Sequence, residues 1–208
     1  MLDPVNTYEH AGLTVEICYD ESAGNPRDEF ENMGTIVGWR DRRHRLGDRQ
    51  VSLECTDPED IVDELREDGA CLILPLYYSE HGPRCVLSVG GPEDLADLDH
   101  SAGLVYVSAE KLRAEYSLKR ISARAIRCAT AVLHGEINEY GAYLTGDVFG
   151  FVIKGPVGEH LDSCWGFYGP DYCEGRANES AESCAQREFA EAAETYEMAC
   201  RGVQTLAA

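Results

Sequence analysis

The stretch Cys71-Leu72-Ile73-Leu74-Pro75-Leu76-Tyr77-Tyr78 puts apolar side chains on both alternating faces, which predicts a strand covered from two sides. Pro75 lacks a ladder donor, so an edge or a bulge is expected there. Residues Arg84 to Val89 read as its hairpin partner across Glu80-His81-Gly82-Pro83. Upstream, Thr56-Asp57-Pro58-Glu59-Asp60 carries the signals of a helix start: a capping side chain, proline at the first position and acids in the first turn. Ile61, Val62 and Leu65 then form its buried face, and Gly69 ends it. Downstream, residues 91–100 read as an acidic loop or short helical turn and 103–107 as another strand, after which Ser108 caps a helix to about Tyr116.

Farther out the pattern is equally periodic. Leu13, Val15, Ile17 and Tyr19 alternate with Thr14, Glu16 and Cys18, a half-buried strand, and Gly34 to Trp39 is a short buried one. Ser122 opens a helix whose Ile126, Ala129, Leu133, Ile137 and Tyr140 recur at helical spacing. Strands from Asp147 to Lys154 and from Glu159 to Phe167 flank the turn Gly155-Pro156-Val157-Gly158. A last helix, opened by Asn178 or Ser180, sets Phe189, Ala192, Ala193, Tyr196, Ala199, Cys200 and Val203 on one side and glutamates over much of the rest. This order predicts an α+β fold: a mainly antiparallel sheet covered on one side by helices, with a C-terminal acidic helix. The expected division is an α+β domain over 1–170 with the helix of 171–208 docked on it.

Composition narrows the function. The 208 residues carry a net charge of −20, which opposes non-specific nucleic-acid binding. No direct contact with nucleic acid is therefore expected. The nine cysteines include no C-x-x-C pair, and nothing at Met1-Leu2-Asp3-Pro4 reads as a leader. No run approaches the ~18 apolar residues of a membrane span. A cytoplasmic site of action is expected. Glycine-rich phosphate loops are absent, and no catalytic constellation is evident, so neither a cofactor nor catalytic residues are assigned. Cys164, beside Trp165, reads as a buried cysteine in an aromatic core rather than a nucleophile paired with His81 or His160. His81 and His100 with Glu80, Asp97 and Asp99 lack the spacing of a structural zinc site, and no metal is expected.

Between Asp20 and Asp48 lies the only dense positive charge. Arg40, Arg42, Arg43, Arg45 and Arg49 are five of the eighteen basic residues. Guanidinium forks match phosphate or carboxylate, and the anion is either an external one or the chain's own carboxylates. Asn25-Pro26 turns the chain, and Asn32 and Gly34 mark a second irregular spot.

The motifs Asn25-Pro26-Arg27, Asn32-x-Gly34-Thr35, Leu46-Gly47-Asp48, Leu74-Pro75-Leu76-Tyr77, Gly146 to Phe151 and Ser163-Cys164-Trp165-Gly166-Phe167-Tyr168-Gly169 resemble an uncharacterised family of proteins encoded by bacteriophages and conjugative elements. The resemblance extends to about Gly169. Relatives tend to carry Asp-His-Ser-Gly where this chain has Glu80-His81-Gly82-Pro83. What the resemblance implies is a mobile-element origin, without an activity. The expectation is a non-enzymatic binding protein acting inside the host cell, of the kind that inhibits a host defence component. Its contact surface is expected at Asn25, Arg27, Asn32, Arg40, Arg43, Arg45, Asp48 and Trp165, and its partner is a host protein. Two alternatives stand beside it: a sponge or enzyme for a phosphorylated small molecule, with a pocket lined by Asn32, Arg43 and Trp165, and an acidic mimic of DNA.

Overall fold

The computed structural model describes residues 3–39, 45–54, 56–81 and 84–206. Its first elements are β1 (Asn6–His10), β2 (Leu13–Tyr19), α1 (Pro26–Glu29), β3 (Thr35–Gly38), β4 (Arg49–Gln50), α2 (Pro58–Glu67), β5 (Ala70–His81) and β6 (Arg84–Val89). A 3-10 turn (Pro92–Ala96) leads to β7 (Gly103–Ser108), α3 (Ala109–Glu115), α4 (Ala123–Thr145), β8 (Val148–Lys154), β9 (His160–Tyr168) and α5 (Pro170–Leu206). The fold is α+β, as expected, but it holds two sheets rather than one. The chain divides into one compact unit of residues 24–145 and another of residues 1–23 with 146–208. Among the described residues no helix is long and apolar enough to cross a membrane.

In the unit of residues 24–145 the strand order is β4-β3-β7-β5-β6, antiparallel except for β3 with β4. The alternation read in β5 sends Leu72, Leu74 and Leu76 to one core and Ile73 to the other. Ala129, Leu133, Ile137 and Tyr140 of α4 cover the first face, and Ile61, Val62 and Leu65 of α2 cover the second. Helices therefore pack on both faces of this sheet, not on one. The strand β5 is interior, and its bulge falls at Ala70/Leu72 instead of Pro75. Proline is tolerated because the Pro75 carbonyl accepts from the Gly90 N–H at 2.9 Å, just past the last β6 pair, Leu76 with Val89. A residue's N–H and C=O point to the same side of an antiparallel strand, so the missing donor lies where the ladder already ends.

The other unit is an antiparallel sheet of order β1-β2-β8-β9 with α5 on one face. Leu13, Val15, Ile17, Phe151 and Ile153 meet Cys173, Ala177, Ala181 and Cys184 of the helix. Among the described side chains docking falls to the first half of α5, which begins at Pro170 and not at Asn178 or Ser180; the side chains of Ala199, Cys200 and Val203 lie outside those described. Alanine and cysteine let its backbone come close to the strands. Phe189 and Tyr196, expected on the buried side, are exposed. In β9 the register shifts opposite Phe149 to Phe151, and the Trp165 ring lies on Gly150, where a Cβ would come within 2.1 Å of it.

Candidate functional site

The motif residues from Asn25 to Asp48 converge, but on one another. Asn25 caps α1: its Oδ1 accepts from the Arg27 N–H at 3.0 Å and its Nδ2 donates to Asp28 at 2.9 Å. Proline at the first helical position costs no hydrogen bond there. The cap aims Arg27 inward, where its side chain is 4% exposed. Nε and Nη2 form a fork on Asp48 at 3.1 and 2.6 Å, Nη2 also donates to the Gly34 carbonyl at 2.6 Å, and Nη1 reaches Glu136 of α4 at 3.4 Å. The two carboxylates are held in turn. Asp48 accepts from the Ile36 N–H at 2.7 Å, and Glu136 from the Met33 and Gly34 N–H groups at 2.5 and 2.9 Å. Asn32 donates to the Pro26 and Phe30 carbonyls at 2.9 and 2.8 Å, and its own carbonyl accepts from Lys111 Nζ at 2.5 Å. Asn25, Arg27, Asn32 and Asp48 are therefore a clasp that ties α1, the start of β3, the loop before β4 and the middle of α4 together.

Tyr140 braces the same loop from α4. Its hydroxyl accepts from the Gly47 N–H and donates to the Arg45 carbonyl, both at 3.2 Å, and burial raises its pKa. One turn on from Glu136, Glu139 is pushed above the usual carboxylate range, by partial burial first and by the neighbouring charge of Glu136 second. Arg45 is exposed, and its side chain has no hydrogen bond or ion pair among the described residues. Arg40 and Arg43 lie outside the described residues. Trp165 belongs to the other unit, 39% exposed, and lines a shallow recess with Asp20, Glu21 and Ser22.

Beside the clasp runs an open groove of about 610 Å³. Arg27 and Lys111 are its cations, and Glu31, Asp48, Glu115 and Glu136 its carboxylates. Phe30 and Val132, 51% and 38% exposed, supply apolar surface. Sequence reasoning missed Glu136 and this groove. The available signal was a glutamate next to the buried stripe position Ile137, a costly place for an unpaired carboxylate.

The other unit has a larger groove, about 800 Å³, between β9 and α5. Its polar groups are largely spent on one another: Asp162 on Ser180, Arg176 on Glu179, and Arg187 on Cys184. Cys164 lines it and is exposed, which corrects the expectation of a buried cysteine; β9 is an edge strand whose side chains α5 covers only in part. The His160 side chain does not hydrogen-bond it, and the His81 side chain lies outside those described. Cys173 is fully buried, and burial, with Glu174 adding to it, pushes its thiol up to about 12. Iodoacetamide should accordingly label Cys164 readily in the native protein and leave Cys173 and Cys184 unlabelled until unfolding, as read by peptide mass spectrometry. Equal labelling of Cys164 and Cys173 would contradict the docking of α5. Among the described residues no cluster of three or more histidine, cysteine, aspartate or glutamate side chains can hold a metal.

Fold and site together define an acid-rich α+β protein in which the clasp around Arg27 borders an open groove. Neither the protein-family models, nor the curated proteins, nor the solved structures provide a match.

Proposed function

We propose that this chain is a non-enzymatic binding protein of a phage or other mobile element, and that it captures a host protein, a defence component, through the groove beside Arg27. The observation that carries this reading is where the Arg27 guanidinium goes. Its donors meet Asp48, Glu136 and the Gly34 carbonyl, so no fork is left for a phosphate. Arg27 is therefore not the residue that would grip a phosphorylated small molecule. What the groove offers instead is exposed Phe30 and Val132 rimmed by polar groups, the surface character of a protein contact. The mobile-element origin rests on the motif resemblance.

The test is affinity capture from lysate of a phage-susceptible bacterium, with wild type and a Phe30→Gln/Val132→Gln double variant compared side by side. The wild type should retain a specific host protein that the variant loses while melting at the same temperature. Equal capture by both would remove the groove from the proposal. Thermal shift against a nucleotide panel covers the other possibility, because a ligand at 100 times its Kd stabilises by about 2.7 kcal/mol.

A further inference from the structure

The groove also constrains what fills it. Its lining carries two cations against four carboxylates. Asp48 and Glu136 are committed to Arg27 and to backbone N–H groups, and Lys111 to the Asn32 carbonyl. Glu31 and Glu115 are exposed, and neither side chain has a hydrogen bond or ion pair among the described residues. The charge left for an incoming group is therefore negative. The aromatic rings of Phe30 and Tyr116 line the same surface, and aromatic faces attract cations. Resting on the groove reading above, we infer that the occupant is a basic protein segment, with an arginine or lysine set between Glu31 and Glu115 and an apolar neighbour against Phe30 and Val132. Complementary charge of this kind selects the partner and speeds its approach. Acidic and phosphorylated segments are turned away.

Two labelled synthetic peptides test this by fluorescence anisotropy, one alternating arginine with leucine and the other glutamate with leucine. The arginine peptide should bind the wild type, and the glutamate peptide should not. A Glu31→Gln/Glu115→Gln variant should lose about tenfold in affinity for the arginine peptide, a change of about 1.4 kcal/mol. Glu59→Gln/Glu67→Gln, which removes the same charge from the exposed side of α2, should bind like the wild type. Equal losses in the two variants would mean that the net charge alone attracts the peptide, and would overturn the inference. Absence of arginine-peptide binding, or equal binding of the glutamate peptide, would overturn it too. The groove reading is judged separately: if capture still depends on the uncharged Phe30/Val132 pair while the peptide result fails, the groove binds an occupant of another charge.

Discussion

Replacing Arg27 with alanine is expected to destabilise the unit of residues 24–145 by about 3 kcal/mol, at the lower end of the cost of breaking a buried ion pair. The guanidinium is almost wholly enclosed, and its removal leaves the Asp48 and Glu136 carboxylates, 30% and 12% exposed, with no cation between them. Each retains backbone N–H partners, which is why the upper end is not expected. Arg27→Lys should fall between, since an ammonium keeps the charge but not the planar fork on Asp48. The measurement is urea unfolding followed by fluorescence. A Trp165→Phe background leaves Trp39 as the reporter; it lies in the same unit, and its indole N–H donates to the Ser101 carbonyl at 3.1 Å. If Arg27→Ala unfolds at the wild-type urea midpoint, the guanidinium is not a structural brace, and a ligand-gripping role returns.

That outcome bears on what the sequence could tell. Local patterns were legible: the alternation of β2, the Asp57-Pro58 start of α2 and the 3.6-residue stripe of α4 each appear where their residues predicted. What depends on distant partners was not. An arginine's sequence context does not say whether its anion is internal, and the carboxylates that occupy Arg27 lie 21 and 109 residues away. The division into two sheets hangs on β2 pairing with β8, Tyr19 opposite Phe149, and nothing in either strand names the other. The strand β1 escaped notice because Asn6, Thr7, Glu9 and His10 are polar edge residues, with Tyr8 alone packed on the core. The start of α5 escaped for a different reason. Cys173, Ala177, Ala181 and Cys184 are too small to read as an apolar stripe, although small size is what lets the helix sit on the sheet.

The motif Leu46-Gly47-Asp48 has a second component that can be isolated. Gly47→Ala should cost about 2–5 kcal/mol, the sum of a left-handed backbone at a residue with a Cβ, about 1–2 kcal/mol, and an overpacked contact, about 1–3 kcal/mol. Gly47 has φ +81°, and a Cβ there would lie 2.1 Å from Ile36 Cγ2 and 3.0 Å from the Ile36 carbonyl oxygen. Ile36 is fully buried and β-branched, so neither a rotamer change nor a shift toward solvent relieves the contact. Moving the loop instead would draw Asp48 away from both Arg27 and the Ile36 N–H. Gly69→Ala supplies the control: its φ is +87°, yet nothing lies within 4 Å of its would-be Cβ, so it bears the backbone cost alone. The difference between the two variants in the Trp39-monitored urea titration measures the Ile36 contact. Equal losses would mean that the loop gives way without strain, and the clasp would then be a looser structure than its hydrogen bonds imply.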